Sequence, residues 1–475
     1  MMSTTNNAEL ADYTIEQLQK LKVHFIGIGG AGMSGIARIM LAKSIDVSGS
    51  DANDSQMLLS LKTLGAKIYI GHDAAQVNQA QLVVVSAAIS QSNPELMAAR
   101  KLAIPIASRA TALAWLLKEK SSIAIAGTHG KTTTTAMLTV ALQSAGEDPS
   151  FAIGGTINSA GTNAHSGSGK FFVVEADESD GSFLAYKPTA AIITNIEMDH
   201  VDHFSSEAQL FATFNDFITS IQPGGALIIC GDDAGCQKIL KSTNHPKSKV
   251  ITYGQGPEND FMLTRVNLLP NTSSALILHN GRKVGELNLV VPGIHNLLNA
   301  LAAFAAASEL GASVDQLLTG LASFTGTRRR FELKGEVNGI KVIDDYGHHP
   351  TELFVTLTAA RNLVGAGKLY AIFQPHRYSR TAAFAKEFAK VLDLADFVYL
   401  LEVYAASETP IEGVSSLLIS KAMKQDKTKF EPSMLQVVAE VANAAKPGDL
   451  IIILGAGDVS TLSAPILEQL ASPKV

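Results

Sequence analysis

Residues 122–135, with the sequence SIAIAGTHGKTTTT, decide the fold of the central part of this chain. An apolar, β-branched run precedes a glycine turn and a threonine-rich segment, which predicts a strand, a loop and a helix. This arrangement is typical of the phosphate loop of proteins that bind nucleoside triphosphates. Backbone N–H groups would surround the phosphates, with the Lys131 ammonium near the β and γ oxygens and the Thr132 hydroxyl on Mg²⁺.

The spacing of this segment is shorter than the general G-x-x-x-x-G-K-[ST] pattern, because Ile125 stands where the first glycine would be. The alternative interpretation is a glycine-rich turn between strand and helix with an incidental lysine. The order of strand, loop and helix favours a true phosphate loop. We therefore expect the chain to bind a nucleoside triphosphate.

Length and composition indicate a globular protein of several domains. The chain has 475 residues, 46% hydrophobic and 17% charged, and at about 150 residues per domain it should form three domains. It has no run of about 18 apolar residues that could span a bilayer. The polar, acidic N-terminus lacks the pattern of a signal peptide, which predicts a cytoplasmic protein. The net charge of -6 gives no general attraction for nucleic acid, and two cysteines are too few for a disulfide framework.

Short β-branched runs alternate with helical periodicity along most of the chain. This pattern predicts an α/β fold with mostly parallel, doubly wound sheets. Between residues 250 and 291 the strands alternate with Gly, Asn and Pro turns, which predicts a small antiparallel addition. We place the domain boundaries at 1–120, 121–325 and 326–475, so that the phosphate loop lies near the start of the second domain.

A first glycine cluster precedes the phosphate loop. Gly27, Gly29 and Gly32 spell G-x-G-x-x-G after a predicted strand, and Asp51 ends the next strand. Such glycines let the backbone approach a pyrophosphate, and an acid at this spacing can bind a ribose hydroxyl. The same chemistry suits NAD and UDP equally well, and a structural tight turn is a third alternative.

Two groups of polar residues follow buried strand candidates in the central part. The first group is Glu175, Asp177, Glu178 and Asp180, and the second is Asn195, Glu197, Asp199, His200 and Asp202. Since parallel strands end at one edge of a sheet, we expect both groups to face the ligand crevice. Hard oxygen donors with one imidazole suit divalent ions such as Mg²⁺ better than zinc. A solvated acidic loop and a structural histidine are the alternatives.

The third domain carries a basic segment and two histidine-containing segments. The basic segment is Arg328, Arg329 and Arg330, and the others are Asp344, Asp345, Tyr346, His348 and His349, and then His376, Arg377 and Arg380. Three adjacent arginines are interpreted either as a solvated turn or as a phosphate clamp. Two guanidinium groups close together suit a small carboxylate, which each can bind through two parallel hydrogen bonds.

Taken together, these residues resemble the Mur ligase family. The motifs that carry the resemblance are GIGGAGMSGIA, GSD, GTHGKTTTTAM, EADESD, TNIEMDH, HNLLNA, RRFE, DDYGHHPTE, FQPHRYSRT and LEVYAASE, and they cover nearly the whole chain. The resemblance implies a Rossmann-like N-terminal domain that holds a UDP group. It implies a central ATPase domain with the phosphate loop and a Rossmann-like C-terminal domain for the incoming amino acid.

The resemblance also implies site residues. The ATP site would contain Gly127, Thr128, His129, Gly130, Lys131, Thr132, Thr133, His295, Asn296, Asn299 and Arg329. The UDP-sugar site would contain Gly29, Gly30, Ala31, Gly32, Met33, Asp51, His72, Ser86 and Arg109. The L-alanine site would contain His348, Arg377 and Arg380, and the metal ligands would be Thr132, Glu175 and His200. Lys131, His129, His200 and His348 would take part in catalysis.

The motifs most closely resemble a branch of the family whose implied reaction is ATP-dependent ligation of L-alanine to UDP-N-acetylmuramate. An acyl phosphate of the lactyl carboxylate would be the intermediate, in peptidoglycan synthesis and hence in cell wall formation and cell division. The implied cofactors are ATP and Mg²⁺, with two ions and with Mn²⁺ as a substitute. The implied protein is a monomer or weak homodimer without nucleic acid or membrane insertion.

Three rival interpretations remain at this point. A sibling ligase would attach a whole murein tripeptide to the same sugar nucleotide, because it shares the phosphate loop. A nicotinamide-dependent oxidoreductase would use the first glycine cluster but would leave the phosphate loop and both acidic groups unexplained. A non-catalytic nucleotide-binding regulator would be expected to lack Lys131 or the acids, and the chain retains both.

Overall fold

Three sheets organise the protein. The structure is a computed structural model that describes residues 13–179, 181–199, 203–204, 206–242 and 248–472. Within those ranges the strands form sheets of five, ten and six strands, and helices cover each sheet. The predicted fold class, an α/β chain of three domains with mostly parallel sheets, is confirmed. No helix in the described ranges is long and apolar enough to cross a membrane.

The first domain is a doubly wound parallel sheet. Its strands are β1 (Lys22–Ile26), β2 (Asp46–Asp51), β3 (Lys67–Ile70), β4 (Leu82–Val85) and β5 (Ile106–Ser108). Its helices are α1 (Ile15–Leu18), α2 (Ala31–Ala42), α3 (Gln56–Thr63), α4 (Pro94–Lys101) and α5 (Arg109–Leu117). The strand order is β3-β2-β1-β4-β5, which reverses between β1 and β4. A crevice therefore opens at the carboxyl ends of these two strands, where the first glycine cluster follows β1.

The central domain is built on the largest sheet. Its strands are β6 (Ser121–Ala126), β7 (Ser150–Ala152), β8 (Ala164–His165), β9 (Phe171–Glu175), β10 (Ala190–Ile193), β11 (Ala226–Cys230), β12 (Lys249–Gly254), β13 (Phe261–Leu268), β14 (Ser273–His279) and β15 (Arg282–Leu289). Its helices are α6 (Lys131–Ser144), α7 (Glu207–Thr219), α8 (Ala234–Ser242), α9 (Ile294–Glu309) and α10 (Val314–Ala322). The antiparallel pairing of β13, β14 and β15 confirms the predicted addition. β6 lies between β10 and β9, so the phosphate loop leaves the sheet near its middle.

The third domain has a sheet of order β16-β17-β21-β18-β19-β20. Its strands are β16 (Glu332–Val337), β17 (Ile340–Asp345), β18 (Leu369–Phe373), β19 (Phe397–Leu400), β20 (Thr428–Phe430) and β21 (Leu450–Leu454). Its helices are α11 (Pro350–Val364), α12 (Tyr378–Leu392), α13 (Leu417–Ala422), α14 (Met434–Ala444) and α15 (Ser463–Ala471). Pro350 begins α11, where its missing N–H costs no hydrogen bond and its fixed φ suits the helix. The histidine segment before it therefore lies at a helix N-terminus.

The hydrophobic cores show how the domains are attached. One continuous core includes Trp115 of the first domain and Leu138 and Phe171 of the central domain. The third domain has its own apolar layers, one around Phe373 and another around Ile453, on opposite faces of its sheet. The first two domains thus share an apolar interface, whereas polar side chains link the third domain to the central one.

Candidate active site

Two glycines shape the phosphate loop between β6 and α6. Gly127 (φ 129°) and Gly130 (φ 83°) lie in the left-handed region, which strains residues with a side chain. A Cβ on Gly127 would also collide with the Thr194 hydroxyl, and one on Gly130 would lie 2.8 Å from the Asn299 carbonyl oxygen. The loop therefore packs closely on its neighbours, and the N-terminus of α6 provides N–H groups for an anion.

The Lys131 ammonium lies inside this loop. Its Nζ donates to the carbonyl oxygens of Gly127 (2.7 Å) and Thr128 (3.3 Å) and to both carboxylate oxygens of Glu178 (2.9 Å each). Burial alone would lower the pKa of Lys131, but Glu178, Asp177 and Glu175 together outweigh it and raise that pKa. Burial raises the pKa of the Glu178 carboxyl to about 7 in spite of Lys131. An arriving phosphate can replace Glu178 as the partner of a cation that is already in position.

Thr132 and Glu175 bring two oxygens together beside the loop. The Thr132 hydroxyl donates to Glu175 Oε1 at 3.0 Å, and Glu175 Oε2 accepts from Gly154 N at 2.7 Å. Glu175 ends β9, and β9 pairs with the strand that leads into the loop. A hydroxyl and a carboxylate oxygen side by side are the hard donors that Mg²⁺ prefers. These two sequence-predicted ligands therefore fit a magnesium ion.

His129 lies between carboxylates from two domains. Its Nε2 is 3.2 Å from Glu197 of the central domain, and its Nδ1 is 3.4 Å from Glu352 of α11. Burial alone would lower the pKa of His129, but the two glutamates raise it to about 9. The ring is therefore a cation at pH 7 and adds positive charge next to Lys131. Although His129, Glu197 and His349 have ligand atoms within 4.8 Å of one another, a protonated imidazole does not ligate a metal.

The raised pKa of His129 predicts a pH-dependent stability. The folded-state pKa of about 9 exceeds the ordinary value of 6.5, so the charged ring contributes about 3 kcal/mol to the free energy of unfolding. That contribution is complete below pH 6.5 and is lost as the pH rises through 9. Denaturant unfolding of the wild type and His129→Asn should differ at pH 6 and converge by pH 10.

A matched control for this pH prediction is His165→Asn. His165 forms an ion pair with Asp148 at 2.9 Å, but its side chain is 44% exposed, and exposed pairs contribute less than about 1 kcal/mol. The His165→Asn difference should stay small at every pH. An equal pH dependence in both variants would contradict the prediction, because the effect would not then come from the buried ring.

The second acidic group supports the loop and reaches the third domain. Asn195 accepts from His129 N at 2.8 Å and donates to His129 O at 3.0 Å. Glu197 accepts from the Thr351 hydroxyl of α11 at 2.7 and 2.9 Å. Asp199 Oδ1 accepts from Nε and Nη2 of Arg380 at 3.0 and 2.8 Å. Of the same groups, His200, Asp202 and Asp180 lie outside the described residues.

A large cavity of about 810 Å³ lies between the central and third domains. It is lined by the sequence-predicted residues His129, Gly130, Thr133, His295, Asn296 and Asn299. Burial lowers the pKa of His295 to about 4, so this ring is neutral at pH 7. Arg330 lines the cavity, whereas Arg329 donates to the Gly455 carbonyl at 2.6 Å and lies 3.5 Å from Asp344. The basic segment therefore directs Arg330, and not Arg329, at the cavity wall.

The three residues predicted for L-alanine lie close together in the third domain, near His376. His348 Nδ1 donates to the Tyr346 carbonyl at 3.1 Å, and the rings of His348 and His376 are 5.7 Å apart. Burial lowers the pKa of His348 to about 3, which leaves its Nε2 as a neutral acceptor. Arg377 has an unusual φ of 73° and lies 3.9 Å from Glu408. Both arginines already face carboxylates, Arg377 that of Glu408 and Arg380 that of Asp199.

The residues predicted for a UDP-sugar line the carboxyl edge of the first sheet. Gly29 N donates to Asp51 Oδ2 at 2.9 Å, and a Cβ on Gly32 would lie 2.9 Å from Arg109. Gly30 is the N-cap of α2, Ala31 begins that helix, and Ser86 follows β4 and lines a pocket of about 190 Å³ with Arg109. His72 follows β3 and lies 2.6 Å from Glu95. Met33 is buried in the hydrophobic core, and its Cγ would lie 3.9 Å from a Cβ on Gly30.

A second small pocket joins this edge to the phosphate loop. It has a volume of about 100 Å³ and is lined by Ala31, Gly32, Gly35, Arg109, Leu113, Ala152, Ile153, Gly154, Asn163, Glu175 and Asp177. Asn163 Nδ2 donates to the Ala31 carbonyl at 2.9 Å across the boundary between the two domains. The N-terminus of α2 and the Glu175 side chain therefore face one pocket.

Sequence reasoning missed two residues of this site, and it did not distinguish a third from its neighbours. Glu352 lies in a named motif, DDYGHHPTE, but nothing in its spacing indicates a contact with His129 in another domain. Glu95 lies in an ordinary helix with an asparagine N-cap, where an acid in the first turn has a local explanation. Arg330 belongs to the basic segment. Three consecutive arginines in a sequence do not indicate which of their side chains lines the cavity.

The fold and this site define a three-domain enzyme that uses a nucleoside triphosphate at a phosphate loop. The chain belongs to the Mur ligase family. The family's catalytic domain matches residues 22–121, the Mur ligase middle domain matches residues 125–307, and the glutamate ligase domain matches residues 329–457. The resemblance inferred from the motifs is thereby confirmed, and the oxidoreductase interpretation is wrong.

Similar proteins indicate which branch of the family this chain resembles. The UDP-N-acetylmuramate–L-alanine ligase of Renibacterium salmoninarum is 48% identical over 95% of this chain and 96% of its own length. That of Mycolicibacterium smegmatis is 48% identical over 94% and 95%. The structure of a UDP-N-acetylmuramate-alanine ligase from Thermotoga maritima matches with a TM-score of 0.79 and 30% identity, over 94% of this chain and 99% of its own. A murein peptide ligase from Psychrobacter arcticus matches with 0.71 and 26%, over 96% and 100%.

Proposed function

We propose that this chain is an ATP-dependent ligase that joins L-alanine to the lactyl carboxylate of UDP-N-acetylmuramate. The observation that carries the proposal is the small pocket in which the first glycine loop meets Glu175, the carboxylate that accepts from the Thr132 hydroxyl. A sugar nucleotide whose diphosphate binds at the N-terminus of α2 can extend its carboxylate toward the phosphate loop from this side. Two relatives whose names state this activity are 48% identical to the chain over almost their full length. Their similarity supports the same substrates for this chain.

ATP would occupy the cavity between the central and third domains. Its adenine side would lie near His295, Asn296 and Asn299, and its phosphates would lie on the loop between Gly127 and Thr133. Arg329 remains a predicted ATP contact, but the cavity wall favours Arg330 for that role. We propose domain boundaries at 1–120, 121–325 and 326–475, in a cytoplasmic monomer or weak homodimer.

The reaction follows from the charges around the loop. The lactyl carboxylate attacks the γ-phosphorus of ATP, which gives an acyl phosphate and ADP and makes phosphate a good leaving group. Lys131 and protonated His129 stabilise the charge that is transferred with the phosphoryl group. The alanine amine then attacks the acyl carbon, and the tetrahedral intermediate expels phosphate. No covalent bond to the enzyme is required.

Mg²⁺ bound by Thr132 and Glu175 would neutralise phosphate charge and orient the γ-phosphoryl group. We propose a second ion at His200, with Mn²⁺ as a substitute for Mg²⁺. The carboxylate of L-alanine would lie near Arg377 and Arg380. Its amine would lie near His348, whose neutral Nε2 can accept a hydrogen bond at pH 7. The acceptor of its proton is either His348 or, where that ring holds no metal ion, His200.

The experiment that tests this function measures phosphate release from ATP and Mg²⁺ with UDP-N-acetylmuramate, with and without L-alanine, and then the product mass. Release that requires both substrates, with a mass gain of one alanyl residue, is the expected result. Turnover with the tripeptide L-alanyl-γ-D-glutamyl-meso-diaminopimelate but not with L-alanine would instead assign the recycling activity. No turnover with either acceptor would reject the proposal.

Glu175→Gln should raise the Mg²⁺ concentration needed for half-maximal phosphate release by about 100-fold, because a charged ligand becomes neutral while its size is retained. The measurement is a Mg²⁺ titration at saturating ATP. The matched control is Glu147→Gln, which removes a partly exposed carboxylate that pairs with Lys170 at 3.6 Å. Equal Mg²⁺ requirements in the wild type and Glu175→Gln would show that Glu175 is not a ligand.

A further inference from the structure

A buried carboxylate lies beneath the first domain's ligand edge and takes no part in the reaction above. Glu95 of α4 is fully buried. Its Oε1 lies 2.6 Å from His72 Nδ1 and accepts from Ser50 Oγ at 2.7 Å, and its Oε2 lies 2.6 Å from His24 Nε2. Burial of a carboxylate destabilises a fold unless hydrogen bonds satisfy its oxygens. An apolar side chain of similar size at this position would destabilise the fold less.

The hydrogen bonds of the cluster decide where its protons lie. Burial tends to raise the pKa of Glu95, but the hydrogen bonds from His24, Ser50 and His72 outweigh it and lower that pKa. An ionised carboxylate only accepts, so each histidine nitrogen that faces it carries a hydrogen. The other nitrogen of His24 lies 2.9 Å from Ser48 Oγ. His24 therefore has an oxygen atom facing each of its two nitrogens.

His72 differs from His24 because it reaches the surface. Its side chain is 20% exposed, whereas that of His24 is 0% exposed. With its Nδ1 hydrogen on Glu95, a neutral His72 ring presents Nε2 to the outside as a hydrogen-bond acceptor. The buried cluster thus fixes which tautomer His72 shows to a ligand.

The place of His72 in the sheet indicates which part of a nucleotide it meets. The glycine loop that follows β1 is suited to the pyrophosphate, and Asp51 at the end of β2 to the ribose. His72 follows β3, the next strand outward, and Gly71 N donates to the Asp51 carbonyl at 2.8 Å. The order of the three strands therefore places His72 beyond the ribose, on the side of the base.

We propose that Glu95 is a positioning residue that fixes the tautomer of His72, and that His72 Nε2 accepts the N3–H of uracil. Uracil carries a hydrogen on N3, whereas cytosine N3 is an acceptor, so cytosine would place two lone pairs against each other. A site built to bond one hydrogen rejects an analogue that lacks it. The inference rests on the proposed function only in that the substrate is a uridine nucleotide, and it adds how the base is selected.

The first test is carried out on the full-length wild type. ¹⁵N-histidine NMR, with His72 assigned by His72→Phe, should show a hydrogen on Nδ1 and none on Nε2, both without ligand and with UDP. Calorimetric titration should show UDP binding about 100-fold more tightly than CDP. A hydrogen on Nε2 in the UDP complex, or equal affinity for UDP and CDP, would overturn the proposal.

Variants separate positioning from a structural role. Glu95→Met removes the acceptor at similar volume, and it should weaken UDP binding by about tenfold while CDP binding changes by less than about threefold. Ser48→Ala is the matched control, because it removes a hydroxyl that lies 2.9 Å from His24 and leaves the contact between Glu95 and His72, so the UDP preference should persist. Equal losses for UDP and CDP in Glu95→Met would show a structural role only.

If Glu95→Met fails to fold, His72→Phe decides the point, because it keeps a ring but removes both nitrogens. The preference for UDP over CDP should then fall to within about threefold, with the KM for ATP unchanged, and a retained preference would overturn the proposal. Turnover with UDP-N-acetylmuramate and L-alanine tests the proposed function separately. UDP selection without turnover would reject only that function, and turnover without base selection would reject only this inference.

Discussion

Lys131→Met should reduce phosphate release in the presence of all substrates by about 10³-fold, which corresponds to about 4 kcal/mol of transition-state stabilisation. The ammonium lies within the loop and is held there by two carbonyl oxygens and Glu178, so it needs no rearrangement when charge moves onto the γ-phosphoryl group. A flexible surface lysine would have to become ordered first. The measurement is the initial rate at saturating ATP, with Lys170→Met as the matched control because the Lys170 side chain is 58% exposed.

The same substitution should make stability depend on pH through Glu178. Without Lys131 the buried carboxylate has lost its cation, which costs about 3–5 kcal/mol when it is ionised. The pKa of Glu178 is already raised to about 7 by burial, so Lys131→Met should be more stable at pH 6 than at pH 8. Stability that a raised pKa provides is present at low pH and lost as the pH rises through that value.

Addition of Glu178→Gln to Lys131→Met should remove the part of this pH dependence that comes from Glu178, because no ionisable group remains at that position. Thermal unfolding of the single and double variants at pH 6 and pH 8 measures it. A rate for Lys131→Met within about tenfold of the wild type would contradict the proposed role of the loop, since one preorganised donor is ordinarily worth 10²–10³-fold. Equal pH dependence in Lys131→Met and in the double variant would show that another cation pairs with Glu178.

The central fold could be predicted from sequence because its signals are local. The strand, the glycines and the lysine of the phosphate loop lie within one short segment, and the α/β alternation is repeated throughout the chain. Short strands such as β7 and β8, of three and two residues, were not predicted. Such strands carry too few residues for an alternating pattern, and their pairing with distant partners stabilises them.

The site was predictable only where it follows one strand or begins one helix. Thr132 and Glu175 could be predicted to meet because both stand at the carboxyl edge of one sheet. The contact of His129 with Glu352 joins two domains. Hydrophobic periodicity predicts helices and strands, and it does not indicate contacts between domains. The separate positions of Arg329 and Arg330 depend on backbone conformation, because Arg329 has a φ of 58°, a conformation that sequence does not assign to an arginine.

Arg380→Met should abolish productive binding of L-alanine and loosen the third domain, with an increase in the KM for L-alanine of about 100-fold or more. Arg380 and Asp199 are each 4% exposed and belong to different domains, so Arg380→Met removes a cation that pairs with a buried carboxylate. Loss of one member of a buried ion pair costs about 3–5 kcal/mol. The first two domains share an apolar core, whereas the third domain has its own. Loss of the ion pair should therefore weaken the contact between the third domain and the other two.

The contribution of the pair can be separated from direct binding of L-alanine with Asp199→Asn and the double variant. If the pair fastens the domains, Asp199→Asn should raise the KM about as much as Arg380→Met, the double variant should be no worse than either, and small-angle scattering should show a larger radius of gyration in all three. Arg361→Met is the matched control, because the Arg361–Asp396 pair is as short, at 2.7 Å, but is 33% and 42% exposed and should contribute less than about 1 kcal/mol. An unchanged KM in Asp199→Asn together with a raised KM in Arg380→Met would mean that Arg380 contacts the substrate directly. The position of the third domain would then depend on other contacts.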